Sequence, residues 1–149
     1  IRERFLDTLR AAAAGERWQW RATPPGRCAE IIVLDQFSRN LFRGSPRAFA
    51  QDPMALALAQ EAVASGDDLR MDDDQRYFTY MPYMHSESLA VHGEALRLFT
   101  ALGNATALHY EERHREEIER FGRYPGRNAA LGRESTEAEI AWLADGGGF

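Results

Sequence analysis

Two long stretches of helical apolar spacing, residues 84–102 and 104–121, are separated only by the turn Leu102-Gly103-Asn104. So short a link returns the second helix along the first, so the pair is expected to be an antiparallel hairpin with Asn104 as N-cap. The rest of the chain reads alike. Apolar residues recur at helical intervals almost throughout, and a β-branched run is confined to Ile31-Ile32-Val33. The expected fold class is all-α.

A first helix is expected over 1–14, with Phe5, Leu6 and Leu9 inward and Gly15 as its stop. After a Trp18-x-Trp20 turn, Pro24-Pro25 leads into a second helix over 26–40. Asp52 reads as the cap of a third helix with Pro53 at its first position, ended by Gly66. Asp72-Asp73-Asp74 opens a short helix holding Tyr77, Phe78 and Tyr80, interrupted by Pro82. Met84 starts the hairpin, and a Gly-, Arg- and Pro-rich loop follows it over 122–133. Ser135 with Glu139, and Thr136 just inside, opens a final helix carrying Ile140, Trp142 and Leu143. The Gly146-Gly147-Gly148 tail is expected to fray. No strict repeat of about 34 residues is present, which leaves an irregular stack of helix pairs. At 149 residues this is one domain's worth of chain.

All 18 basic residues are arginine, which excludes lysine nucleophiles, Schiff bases and the Walker P-loop. A formal net charge of −5 argues against a nucleic-acid surface. No apolar run approaches the roughly 18 residues of a membrane span, so no membrane partner is expected. Cys28 stands alone, so no internal disulfide can form. There is no G-x-S-x-G elbow, and no cofactor is indicated.

What remains are residues that a plain helical core does not explain. The second helix is apolar nearly all round, yet carries Asp35 and Arg39 four residues apart. They read either as a structural salt bridge or as an anion-orienting Arg39 held by Asp35 at a pocket wall. In the hairpin, His85, Leu89, His92, Leu96 and Phe99 share an arc of roughly 80°, and Ala107, Tyr110, His114, Ile118 and Phe121 follow the same rule. Antiparallel pairing sets His114 level with His92 and leaves His85 two turns away, about 11 Å. Three such histidines cannot share one ion, so no metal is expected, and His114 reads as a core histidine bonded to a tyrosine or a carboxylate. The Glu111-Glu112, Glu116-Glu117 and Glu119 charges, interleaved with Arg113, Arg115 and Arg120, read as a solvated face. The hairpin register brings His85, Ser86 and Glu87, with Ser86 as N-cap, next to Arg123, Arg127 and Asn128. This cluster combines a base, a carboxylate, guanidiniums and helix N-terminal amides, which suits a small anion, or else forms a polar clasp pinning the loop.

Taken together, Leu34-Asp35-Gln36-Phe37-Ser38-Arg39-Asn40, Met84-His85-Ser86-Glu87, and the stretch from His114 through Phe121-Gly122-Arg123-Tyr124-Pro125-Gly126-Arg127-Asn128 to Leu131-Gly132-Arg133-Glu134-Ser135-Thr136 resemble the bacterial domain of unknown function 924 family over about 1–149. The resemblance implies a tetratricopeptide-like α-α superhelix, a cytoplasmic protein and a further N-terminal segment ahead of the first helix. Two positions depart from the family pattern: Ser38, often proline, and Gly126, often histidine.

The leading expectation is a helical module that binds a small anionic molecule or an acidic peptide without turnover. Arg39, Arg123 and Arg127 would grip the acid, with Asn128 and Glu87 fixing its orientation. The full candidate set is Asp35, Arg39, Asn40, His85, Ser86, Glu87, His114, Arg123, Arg127, Asn128 and Arg133. The alternative is an enzyme with His85 as general base and Glu87 tuning it, or a purely structural role for these groups. Nothing in the residues sets the oligomeric state.

Overall fold

The computed structural model describes residues 2–149, with side chains from Glu3 onward, and the described residues are helices and loops without a strand. Helix α1 (Arg2–Ala13) leads to a 3-10 turn, Trp18–Ala22, and then to α2 (Pro24–Ile32). Ile1, placed in the first helix by its spacing, lies outside the described residues. Helix α2 starts two residues earlier than the sequence suggests, because the Thr23 hydroxyl caps Gly26 N–H and Pro24-Pro25 occupies the first turn. It does not run on as regular α-helix. Residues Val33–Phe37 form a π-helical turn before α3 (Ser38–Leu41) resumes the course.

Helix α4 (Asp52–Ser65) ends where expected, at Gly66 in the left-handed conformation, but Asp52 is not its cap. Gln51 precedes the helix, and the Asp52 carboxylate turns to arginines instead. Helix α5 (Asp73–Met84) opens on a reciprocal Asp72/Gln75 capping box and continues through Pro82. The proline lies close enough to the end that the helix closes soon after it, at Met84. That shift moves the hairpin's true start. Helix α6 (Leu89–Leu102) begins after a linker, with Ser88 and not Ser86 as its N-terminal flank. Helix α7 (Ala105–Phe121) is capped by Asn104, and Gly103 takes a φ of 77° that only glycine adopts readily in so tight a reversal. A 3-10 turn, Pro125–Arg127, and the short α8 (Asn128–Leu131) order the loop, and α9 (Glu137–Ala144) starts on a Thr136 cap, one residue beyond Ser135.

The core lies where α2 packs on α4 and α5, with α6 on α5 and α7 on α6. Ile31, Leu34, Tyr80, Tyr83, Leu98 and Phe99 fill it. Leu9 is buried as expected, whereas Phe5 is 43% exposed and rests edge-on against Phe37 of the π turn. The glycine tail is tied down: Gly148 N–H donates to Glu117 at 2.8 Å, and the Phe149 main chain approaches Gly126 so closely that a Cβ there would meet its carbonyl oxygen at 2.6 Å. No helix among the described residues is long and apolar enough to cross a membrane.

Candidate functional site

The π turn and the end of α5 together build the site. Asp35 sits in the π turn and is 1% exposed. Its carboxylate accepts hydrogen bonds from His85 Nδ1 (2.7 Å), Arg39 Nη1 (2.9 Å) and Gln36 Nε2 (2.6 Å). Burial pushes this carboxyl up, but the charge and hydrogen bond of His85, then Arg39 and Gln36, outweigh it and hold it down at about 2. An ionised carboxylate can only accept, so Nδ1 of His85 carries the hydrogen that it donates to Asp35, and Nε2 is the ring nitrogen left over. His85 is the C-cap of α5, where the chain leaves the helix axis and can cross to the π turn 50 residues away.

Arg39 binds both oxygens of Asp52, at 2.7 and 2.9 Å. Arg127 lies beside it between the rings of Phe49 (4.7 Å) and Tyr124 (4.6 Å) and donates to the His85 carbonyl at 2.7 Å. Its approach to Asp52 is only 3.5 Å. Arg127 is 9% exposed, and burial followed by repulsion from Arg39 pushes its pKa down from the usual arginine range. A guanidinium so enclosed is short of negative charge.

Arg39, His85 and Arg127, with Asp35 and Asp52 behind them, face a cleft of about 560 Å3. Gln36, Arg39, Asn40 and Arg43 form one side, His85, His114, Tyr124 and Arg127 another, and Ala48, Phe49, Ala130 and Phe149 supply apolar surface. Arg43 is exposed and has no hydrogen bond or ion pair among the described residues. His114 is a buried histidine, as its spacing suggests, but the tyrosine it bonds is met through the main chain and no carboxylate among the described residues reaches it. Its Nδ1 donates to the Tyr110 carbonyl at 2.7 Å and its ring stacks on Phe149 at 3.7 Å. Burial, with the charges of His85, His92 and Arg127, holds it down at about 3 against the pull of that carbonyl, so it is neutral. The rings of His85 and His114 are 6.3 Å apart, not two helical turns, because His85 precedes α6 and is not carried up its axis.

The histidine bonded to both a carboxylate and a tyrosine is His92. It is fully buried, with Nδ1 at 2.8 Å from Glu111 and Nε2 at 2.7 Å from the Ser86 carbonyl and 3.0 Å from the Tyr124 hydroxyl. The carbonyl can only accept, so Nε2 carries the hydrogen, while the Tyr124 hydroxyl donates to Met84 O at 2.5 Å. Glu111 and Glu117 are thus buried members of a stretch that reads as solvated in the sequence. Glu117 accepts from Trp142 Nε1 at 2.9 Å.

The remaining candidates form a clasp beside the cleft. Glu87, outside α6, accepts from Tyr124 N–H (2.8 Å) and twice from Arg133 (2.9 Å each). Arg133 also donates to Asn128 Oδ1 (2.9 Å), whose amide donates to Ser135 (3.1 Å) and Glu139 (2.5 Å). Arg123 binds Glu139 (3.1 Å) and the Glu134 carbonyl (2.7 Å). The structure therefore brings Asp35, Arg39, Asn40, His85, His114 and Arg127 together, and places Glu87, Asn128 and Arg133 in contact with one another, with Arg123 joined to Asn128 through Glu139, outside the main cleft. Ser86 accepts from Ser88 N–H (3.2 Å) and lines a smaller hollow across His85 and Arg127. Gln36, Arg43, Phe49, Asp52, Tyr124 and Phe149 were not singled out in the sequence. For Asp52 the signal was present but competed with a capping role next to Pro53.

Because Glu87 is fully engaged, Glu87→Gln is expected to remove a charge-assisted pair and cost about 1–2 kcal/mol. Urea denaturation reads the loss, and binding in the cleft should be unaffected. An equal loss of ligand affinity would show that the clasp shapes the site.

A family model described as a bacterial protein of unknown function (DUF924) matches residues 1–147. A solved structure of a protein of unknown function from Agrobacterium tumefaciens is similar, at 40% sequence identity and a TM-score of 0.91, over 96% of this chain and 81% of that one. No curated protein matches the chain.

Proposed function

The chain belongs to the bacterial family DUF924, and from that premise, which carries a fold but no activity, we propose that the arginine-lined cleft binds a small organic acid through its carboxylate. One observation carries this reading: Arg127, buried and stacked between two rings, shares its only paired carboxylate among the described residues, Asp52 at 3.5 Å, with Arg39, which holds that group by two shorter hydrogen bonds. An incoming anion completes it.

The balance of charge narrows the ligand. Asp35 and Asp52 pair with Arg39, Asp52 also reaches Arg127, and Arg43 lines the cleft unpaired among the described residues, so two carboxylates stand against three guanidiniums and the uncompensated cation is matched by a monoanion. A cleft of about 560 Å3 suits a small molecule more than a peptide. Phe49, Ala130 and Phe149 favour an apolar body on that acid.

Calorimetric titration with butyrate and benzoate tests the reading. Arg43→Ala is expected to weaken binding about tenfold, the value of one charged hydrogen bond, with an unchanged melting temperature. Arg127→Met should abolish binding while costing little stability, since it also removes an under-compensated buried charge. Butyrate and benzoate that fail to bind at millimolar concentration, or that bind Arg127→Met as well as wild type, would remove the proposal.

A further inference from the structure

A cleft that only holds an anion needs donors and has no use for a base. This one contains a base that is carefully oriented. Asp35 is fixed by three donors, and it fixes His85 through Nδ1 at 2.7 Å, so the imidazole cannot turn its ring without breaking that hydrogen bond to a buried carboxylate. His85 Nε2 has no partner among the described residues, and the ring borders both the main cleft and the smaller hollow beside it. The Arg127 guanidinium is bonded to the carbonyl of His85 itself, so a base and a buried cation are delivered to one place by one residue's backbone and side chain.

The alternatives are weaker. His85 and His114 both commit Nδ1 and both leave Nε2 available, as paired metal ligands do, but Arg39, Arg43 and Arg127 surround them and repel a cation. His92 with Glu111 is a similar pair, yet it is sealed in the core and both its ring nitrogens are used. Among the described residues no hydroxyl or thiol side chain is hydrogen-bonded to His85: the Ser86 hydroxyl accepts from Ser88 N–H, and Cys28 is buried against Gln75. The nucleophile available to the base is water.

We propose that the cleft hydrolyses small carboxylic esters, with His85 as general base, Asp35 as its positioning residue and Arg127 as the group against which the oxyanion forms. The inference rests on the carboxylate reading, because the product acid and the oxyanion are held by the same guanidinium. His85 Nε2 takes a proton from water as the water oxygen bonds to the acyl carbon, and the carbonyl π pair moves onto the oxygen beside Arg127. The pair then returns, the bond from the acyl carbon to the leaving oxygen breaks, and the proton on Nε2 passes to that oxygen. One ester and one water give one acid and one alcohol. No redox partner or covalent intermediate is required. Short acyl chains are favoured, because the apolar wall of Ala48, Phe49, Ala130 and Phe149 is small.

The test follows hydrolysis of 4-nitrophenyl butyrate by the whole chain, with butyrate binding measured in parallel by calorimetry. Wild type should show saturable hydrolysis. His85→Gln should lower kcat by about 100-fold or more, the usual worth of a general base, with butyrate affinity held within about threefold. Asp35→Asn, assayed well below its melting temperature, should lower kcat and leave KM unchanged, a split that a merely structural role does not produce. Butyrate binding without saturable hydrolysis, or hydrolysis that survives His85→Gln, overturns the catalytic proposal and leaves the carboxylate reading standing. Hydrolysis that depends on His85 without butyrate binding supports the base and removes the carboxylate reading.

Discussion

Asp35→Ala is expected to lower the melting temperature by roughly 10 °C, because breaking a buried ion pair costs about 3–5 kcal/mol and each kcal/mol moves a domain of this size by about 2–4 °C. The carboxylate is the shared acceptor of His85, Arg39 and Gln36, and it is almost fully enclosed. Its removal leaves a guanidinium and an imidazole facing each other. Asp52 still holds Arg39 through two hydrogen bonds, so the larger part of the loss falls on His85 and the linker that carries it. The same group predicts an acid transition. Its folded-state value of about 2 lies below the 3.8 of the unfolded chain, so its stabilisation is present above about pH 4 and is lost as the pH falls through about 2. By linkage that amounts to about 2 kcal/mol. Urea denaturation between pH 7 and pH 2 reads it, and Asp35→Asn should show a flatter profile. A variant with alanine at this position that melts with wild type would mean that the pair is not the keystone of the site.

Glu111→Ala is the second large effect, again about 3–5 kcal/mol. Both Glu111 and His92 are completely buried, and the Ser86 carbonyl commits His92 Nε2 to carry a hydrogen. Without Glu111, His92 Nδ1 has no partner, and a cavity opens between α6 and α7. Burial pushes the Glu111 carboxyl up against the pull of His92, which identifies the cost of charging it in the core. Glu111→Gln supplies an amide N–H to the same nitrogen and keeps the volume, so it should cost only about 1 kcal/mol. The contrast between the alanine and glutamine variants in urea midpoint is the measurement. Equal losses would show that charge, and not the hydrogen bond and volume, holds the pair together.

The parts of the fold visible in the sequence are those that local rules decide. Asn104 caps Ala107 N–H, Gly66 and Gly103 take left-handed turns, and Asp72 with Gln75 closes a capping box. Each acts within about four residues, and each marks a boundary that tertiary contacts do not move. Boundaries without such a marker slipped. The expected stop at Pro82 gave way because α5 runs two residues beyond it, and the expected start at Met84 moved to Leu89. That slip alone repositions His85, since a residue in a linker is not bound by the 100° step of a helix. The π turn does the same for Asp35: its wider turn breaks the periodicity from which facing directions through 26–40 were read.

The all-α class, the hairpin, the absence of lysine chemistry and a concentration of unusual polar residues near His85 and Arg127 were thus decided by the amino-acid order, because spacing and turn chemistry are local. Which acid meets which base was decided by the tertiary structure. Asp35 rather than Glu87 reaches His85, Glu87 goes to Arg133, and two glutamates of an apparently solvated helix face are buried on His92 and Trp142. Burial turns a carboxylate's partner from a weak preference into a requirement worth several kcal/mol, and burial depends on which helix faces come together.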